Sequence, residues 1–389
     1  LTDDITDFAR GVGLDRVGVC DAAILTRARG ELLRRKAEGL SDTMEFTYRN
    51  PERATDPSRT LSEARSILVA ARSYQRSHIA NGSVGQTQDE PEYCARVAAY
   101  AQENHYGVLR LGLNAVAARL RDLGHDALVV ADENNLVDRE VAWRAGIGWF
   151  GKNANLLVPG AGSWFVLGSI ITTAPLRPTP TPVPDGCGTC RRCIDACPTQ
   201  AIVSDGVIDA RRCLAWLVQK AGVFPVEYRA ALHDRLYGCD DCQDSCPITI
   251  RLGPRVPAQG AVDDAAIGAL VDIVDVLESD DDTVMRRFSQ WYIPQRNPNW
   301  VRRNALIILG NVATVPVSRR TEGLLVRYLA SSDPYLRAHA VWSARRLGCD
   351  RLTDTVREDQ HPVVRAEMAR DMAGLVRVGV TSESEARRS

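Results

Sequence analysis

The chain has 389 residues, 45% of them hydrophobic and 25% charged, with 48 Lys and Arg against 49 Asp and Glu for a formal charge of −1. That length predicts two or three domains, and the hydrophobic share is enough for real cores. The near-zero charge argues against a general nucleic-acid binder while permitting a local basic face, and no apolar run approaches the ~20 residues of a membrane span.

Residues 1–175 alternate helical patterns with apolar strand-like runs, which predicts an α/β or α+β domain. The strand candidates are Ser66–Ala71, Ala127–Ala131 and Ser163–Ile171. Between the first two, the stretch from Glu92 to Leu123 reads as helical, with Val97, Tyr100 and Leu109 in its apolar set. A glycine-rich segment then runs Ala145-Gly-Ile-Gly-Trp-Phe-Gly-Lys-Asn153. Gly146, Gly148 and Gly151 are expected to let the backbone approach a bulky partner closely. The proline-rich Leu176–Pro184 is an extended connector.

Eight cysteines follow. The first run is Cys187-x2-Cys190-x2-Cys193-x3-Cys197-Pro198, and the second part has Cys213, Cys239-x2-Cys242-x3-Cys246-Pro247. This is the spacing of a bacterial two-cluster ferredoxin, with enough thiolates for two [4Fe–4S] clusters. The fourth cysteine of each Cys-Pro run normally crosses to the other cluster. Cys187, Cys190, Cys193 and Cys246 are therefore assigned to one cluster, and Cys197, Cys213, Cys239 and Cys242 to the other. Cys213 stands in for the missing first cysteine of the second run. Zinc ribbons or disulfides are the alternatives, though zinc sites seldom use this spacing. Cys20, Cys94 and Cys349 are scattered and read as small buried hydrophobes. Leu1 reads as a trimmed start; oxygen-sensitive clusters and the lack of an export signal predict a cytoplasmic protein.

After a second connector, Leu252–Gly260, a weak repeat appears. Asn297-Pro298, Asp333-Pro334 and His361-Pro362 each lead into an apolar residue followed by arginine. A helix-starting proline in that context is a HEAT-like pattern, with a plain helical bundle as the alternative. Arg302, Arg303, Arg319, Arg320, Arg337, Arg345 and Arg346 are read as a surface for a polyanion or simply as a solvated face. Thr381–Ser389 reads as a disordered tail. The fold expected is α+β, with an N-terminal α/β domain over residues 1–175, a two-cluster ferredoxin-like domain over 176–251 and HEAT-like helices over 261–380.

The double-cluster block, the helical repeats and the stretch from Val130 to Leu157 together resemble the tRNA epoxyqueuosine reductases. Those enzymes use cobalamin and two [4Fe–4S] clusters, and their cobalamin-binding domain is related to those of reductive dehalogenases and the cobalamin-processing chaperone. The resemblance covers nearly the whole chain; Ala145–Asn153 and the cysteine block are its specific parts. It implies an oxidoreductase that opens the epoxide of epoxyqueuosine to queuosine in the tRNA anticodon loop. In the family an aspartate ahead of the Ala-Gly-x-Gly-Trp motif donates the proton, and counting back from Gly146 places it at Asp132. Asp138 is the nearest rival, standing where the family usually has glutamate beside an arginine, here Arg139. Burial against an apolar macrocycle would raise the pKa of such an acid; the alternative is that Asp132 caps a helix. The implied cobalamin contacts are Arg53, Asp132, Arg139, Gly151, Lys152, Asn153, Asn155 and Ser163. The implied partners are tRNA and an external low-potential electron donor, with no membrane and a monomeric chain.

The chain departs from the family where substrate is held. Asp132 is followed by Glu133-Asn134-Asn135 instead of Ser-Ala-Pro, and the family's Tyr-Ala-x-Gly-x-Asp-Tyr-His reads Tyr100-Ala-Gln-Glu-Asn-His-Tyr-Gly107. His105 is expected to substitute in part for the histidine replaced by Gly107. Ala215–Lys220 replaces a tRNA-touching run, and Cys-Pro-Trp-Asn becomes Cys246-Pro-Ile-Thr249. Two other readings stay open: the same machinery acting on a different, possibly small-molecule, substrate, and a non-catalytic cobalamin carrier or redox partner.

Overall fold

The computed structural model describes residues 1–74, 93–179, 183–251 and 267–372. They divide into two compact units. The first takes residues 1–74, 99–179, 183–216 and 240–251; the second takes 93–98, 217–239 and 267–372.

The first unit is built on a four-stranded sheet. Its strands are β1 (Arg16–Asp21), β2 (Ser66–Ser73), β3 (Ala127–Val130) and β6 (Phe165–Thr172), in the order β1-β2-β6-β3. Two short hairpins, β4 (Trp149–Phe150) with β5 (Leu156–Leu157) and β7 (Ile202–Ser204) with β8 (Val207–Ile208), lie outside it. The three expected strands form, but every pairing in the main sheet is antiparallel. Alternating helices and strands would ordinarily suggest a parallel sheet. β2 and β6 are central and nearly continuously buried, whereas the edge strands β1 and β3 are only half-buried.

Alternate residues of β2 feed two cores. Leu68 and Ala70 face helices α1 (Thr2–Gly11) and α3 (His105–Asp122), with Ile5, Leu109, Leu113 and Leu120. Ile67, Val69 and Ala71 face α2 (Thr26–Ala37) and α4 (Asp138–Arg144), with Leu25, Val141 and Ala142. Side-chain alternation along a strand makes this division automatic. α3 lies tight on β6 at Gly168, where a Cβ would come within 2.7 Å of Leu113 and 3.0 Å of Ala131.

α3 begins thirteen residues after the expected helix start at Glu92. Glu92 itself is outside the described residues. Cys94–Val97 is a strand, with Ala95 and Val97 buried, and the Asn104 side chain caps α3 by accepting from the Gly107 N–H at 2.8 Å. A local capping residue and a two-residue alternation therefore win over a helical reading of the stretch.

In the second unit, Cys94–Val97 pairs with Arg235–Tyr237 in parallel and with Leu270–Asp272 antiparallel. Its main helices are α5 (Asn299–Val312), α6 (Arg319–Leu329), α7 (Pro334–Arg346) and α8 (Pro362–Met368). Asp333 and His361 cap α7 and α8, each with proline in the first turn, a position that needs no N–H. α5 is buried nearly all round, and its polar residues hold irregular backbone. Arg303 donates to the carbonyls of Leu217, Val218, Lys220 and Gly222 at 2.6–3.3 Å. Asn304 and Asn311 do the same for Val218, Leu236, Arg229 and His233. Burial, with nearby Arg229, brings the Arg303 pKa down to about 9.

The polyanion-facing arginine surface is not what most of these residues form. Arg302 pairs with Asp281 at 2.5 Å, Arg320 with Glu278 at 2.7 Å and Arg337 with Asp359 at 2.7 Å. Arg345 donates to the carbonyls of Glu367, Met368 and Arg370 at the end of α8, and the Arg346 guanidinium lies 5.2 Å from the Trp342 ring centre. Arginines in helix-rich cores satisfy carbonyls as readily as phosphates, and only Arg319 of the seven remains exposed without a described partner. Cys20 is buried as expected, whereas Cys94 and Cys349 are partly exposed.

Replacing Arg303 with alanine removes this donor from the carbonyls of Leu217, Lys220 and Gly222, while Val218 keeps Asn304. We expect a loss of ~3 kcal/mol or more, read as a lowered denaturant midpoint; an unchanged midpoint would show that the loop takes its hydrogen bonds elsewhere.

Candidate functional site

β3 ends at Val130, and two residues later the chain turns through Asp132 with φ of 53°. Non-glycine residues adopt this left-handed backbone only where their surroundings enforce it. The enforcing residue is Arg110 on α3, which donates to the Ala131 carbonyl and pairs with Glu133 at 2.9 Å. Asn135 donates to the other Glu133 oxygen at 3.2 Å. The chain then enters α4 at Asp138, so Asp132 is not that helix's cap; the cap position is Val137.

α4 is fastened on its far side. Glu140 is buried and pairs with Arg27, whose guanidinium sits 4.5 Å from the ring centres of both Trp143 and Phe150. Arg139 donates to the Ala154 carbonyl at 2.5 Å, tying the helix to the loop between β4 and β5.

Asp132, Asp138 and Tyr106 form one electrostatic group. Desolvation raises the Asp132 pKa, with Glu133 adding to the shift and Arg110 opposing it. Asp138 is held well above the usual carboxylate range, first by desolvation and then by Asp132. Tyr106 is raised by burial and by the same two carboxyls. Asp132 is nevertheless open to a water-sized probe. Surface access and partial desolvation coexist at this carboxyl, and desolvation disfavours its charged form. Asp138 Oδ1 is buried without a hydrogen-bond partner among the described residues. Tyr106 and Arg110, one turn apart on α3, were not singled out from sequence; their i, i+4 spacing was the available signal.

The glycines serve the protein's own packing. A Cβ on Gly148 would stand 2.2 Å from the Leu157 carbonyl, and one on Gly151 would stand 2.7 Å from Asn153 and Leu157. Gly146 ends α4 with φ of 69°, the left-handed residue expected after a helix. The expected contacts divide in the same way. Lys152 pairs with Asp205 at 3.1 Å. Asn153 donates to the Cys242 carbonyl at 3.3 Å and accepts from the Asn155 N–H at 3.1 Å. Ser163 donates to Gln243 at 3.0 Å. Arg53 is exposed, and the Asn155 side-chain amide has no partner among the described residues. His105 is buried against Tyr74 and lies 3.3 Å from the Ala99 carbonyl, so it does not replace the lost histidine as an open side chain.

Four of the cysteines share a neighbourhood. The Cys193 thiol is pushed up to about 11 by burial and then by Cys187, Cys246 and Cys190, in that order. Cys187 and Cys246 pack with Trp149, Leu157, Val183 and Ile248. Cys213 is likewise raised by burial, with Cys197 as its cysteine neighbour, and Cys197 Sγ accepts from the Ala201 N–H at 3.2 Å. Cys239 ends the 217–239 stretch of the second unit. Among the described residues, no three His, Cys, Asp or Glu side chains gather tightly enough for a single metal ion. Gln243, which sequence gave no reason to notice, joins the Cys242–Cys246 turn to Ser163, Tyr74 and Asp240.

Residues 186–249 match the family model for a 4Fe-4S double cluster binding domain. The epoxyqueuosine reductase of Vibrio cholerae is 30% identical over 348 residues, covering 88% of this chain and 91% of that protein. The chain belongs to the epoxyqueuosine reductase family. The family's Bacillus anthracis member is 35% identical over 249 residues, and that match spans 64% of each protein. Two solved structures of the family are similar throughout. An epoxyqueuosine reductase with an epoxyqueuosine-modified tRNA-Tyr stem loop is 26% identical with a TM-score of 0.82, covering 94% of this chain and 96% of that one. The Bacillus subtilis enzyme, with its aspartate-bearing catalytic loop swung out of the active site, is 26% identical with a TM-score of 0.83, covering 96% and 98%.

Desolvation of Asp138 has a stability consequence. Its folded pKa lies above the ordinary 3.8, so its contribution is full below that value and is lost as pH rises through the folded value. Asp138→Asn should therefore unfold at a higher temperature than the parent at neutral pH, the gap widening upward from about pH 4. A gap that is absent or shrinks with pH would contradict the buried acid.

Proposed function

We propose that this chain reduces epoxyqueuosine to queuosine in a tRNA anticodon loop, with Asp132 as the proton donor. The observation that carries the reading is an acid on a left-handed turn, exposed to solvent yet partly desolvated. That is the condition for a carboxyl that keeps its proton until a substrate oxygen needs it. Membership of the family supports the reaction, and the relative bound to a modified stem loop supports the substrate class.

Cobalamin at this site is supported by the exposed guanidinium of Arg53 and the Asn155 side-chain amide, which suit the cofactor's phosphate and amide groups. When bound, cobalamin supplies the low-valent cobalt chemistry that amino-acid side chains lack. Arg53, Arg139 and Asn155 are the residues proposed to hold it, Arg139 by fixing the loop at Ala154. Lys152, Asn153 and Ser163 are proposed to contribute indirectly, since their polar ends are already taken by Asp205, Cys242 and Gln243. Gly151 keeps the loop close-packed. The cluster ligands are proposed as Cys187, Cys190, Cys193 and Cys246 for one cluster and Cys197, Cys213, Cys239 and Cys242 for the other. Electrons from an external low-potential donor enter through them one at a time.

The layout proposed is a cobalamin-binding domain over residues 1–175, a ferredoxin-like domain over 176–251 and a HEAT-like domain over 261–380, supported by the proline-started helices α7 and α8. Phosphate contacts to tRNA fall to cations that remain exposed, such as Arg319. The buried position of His105 favours a second reading, in which the same machinery acts on another, smaller substrate.

The test is anaerobic reduction of the reconstituted chain with cobalamin and epoxyqueuosine-containing tRNA, followed by nucleoside mass spectrometry. Queuosine should form, and Asp132→Ala should slow its formation by ~100-fold or more while cobalamin and iron stay bound. Bound, reduced cobalamin with the nucleoside untouched would select the second reading. Cys193→Ser should lower bound iron from about eight to about four atoms per chain; an unchanged iron count would remove Cys193 from the ligand set.

A further inference from the structure

Removing an epoxide oxygen as water breaks both C–O bonds, leaves a carbon–carbon double bond and consumes two electrons and two protons. A low-potential one-electron donor, acting twice, supplies the electrons. A single carboxylic acid holds a single proton. A site closed over its substrate therefore has to find the second proton nearby.

We propose that Asp138 is the second proton source, holding a proton at the start of α4 and passing it to Asp132 after Asp132 has given up its own. This rests on the reductase reading of the Asp132 site. An aspartate in the first turn of a helix is ordinarily ionised, stabilised by the helix dipole and by free N–H groups. Asp138 has the position without the partners. No side chain caps the helix, and Asp138 Oδ1 is buried and accepts no hydrogen bond among the described residues. A buried oxygen without a donor is tolerable on a neutral carboxyl and costly on a charged one.

The charged and titratable groups around Asp138 are Asp132, Glu133, Arg110 on α3 and its own neighbour Arg139. Tyr106 faces both aspartates. Both arginines offset the desolvation of Asp138 only in part, and neither donates a hydrogen bond to it. Arg110 is held by the Ala131 carbonyl and Glu133, and Arg139 by the Ala154 carbonyl. The raised protonation of both aspartates agrees with this geometry. After both protons are spent, the two carboxylates repel each other and are reloaded from solvent through Asp132, the accessible member of the pair. Asp138 acts through Asp132 and is a positioning and proton-storing residue.

The experiment combines infrared titration with turnover on the reconstituted holoenzyme. The parent should show a carboxylic-acid C=O band that persists above the pH range where exposed carboxyls ionise. Asp138→Asn should lose part of that band, and Asp138→Glu should regain it. In anaerobic assays with epoxyqueuosine-containing tRNA, Asp138→Asn should lower kcat ~10-fold or more with KM within ~2-fold, and Asp138→Glu should recover most of the rate. An active parent with an Asp138→Asn variant unchanged in band and kcat overturns this proposal alone. A parent that leaves epoxyqueuosine untouched overturns the reductase reading as well. Failure of Asp138→Glu to restore either readout would assign Asp138 a structural part only.

Discussion

A carboxylate is costly wherever water cannot solvate it, and the first unit is arranged around two carboxyls in that condition. Asp132 and Asp138 are both pushed toward their neutral forms by desolvation, and Asp132 makes ionisation of Asp138 harder still. Nearby cations do not cancel the effect, because they are spent on backbone and on other acids. Arg110 fixes the turn at Ala131, Arg139 fixes the loop at Ala154, and Arg27 answers Glu140 on the opposite side of α4. The local arrangement thus favours the neutral form of both acids over the charged one.

The fold supplies the rigid surroundings this requires. β3 is an edge strand that pairs only with β6, so the chain leaving it is free to turn at Asp132. α3 lies close enough on Gly168 to bring Tyr106 and Arg110 to that turn. The β4–β5 hairpin closes tightly because Gly148 has no Cβ to meet the Leu157 carbonyl. From the same hairpin loop, Asn153 reaches the Cys242 carbonyl, while Ser163 and Tyr74 hold Gln243. Acid site and cysteine turn are joined through short side chains and backbone, an economical way to fix two chemical centres without long flexible contacts.

Strong local signals were legible in the sequence, and shared or long-range ones were not. The apolar runs at Ser66 and Ala127 became strands because burial on the sheet demands such residues, and cysteine spacing alone grouped Cys187, Cys190, Cys193 and Cys246, which lie near one another. The family resemblance points to Asp132, but nothing in the local sequence reveals its left-handed backbone. Cys94–Val97 reads as helix in the sequence because its strand partners, Arg235–Tyr237 and Leu270–Asp272, are far away along the chain. The arginines of the helical region looked like a polyanion surface because a side chain's charge is visible in sequence and its carbonyl partners are not. Gly148, Gly151, Lys152 and Asn153 similarly resembled a cofactor cradle, while their visible partners are protein atoms.

The central claim is that Asp132 enters the reaction as a neutral acid made so by its surroundings. The most direct test is the pH dependence of the single-turnover rate of epoxyqueuosine reduction, comparing the parent with Asp132→Asn. The account predicts a rate that holds at low pH and falls at an apparent pKa above the ordinary carboxylate range, with that fall absent from the residual rate of the variant. A parent rate that falls near the ordinary aspartate value, or a variant that keeps the same profile, would contradict it.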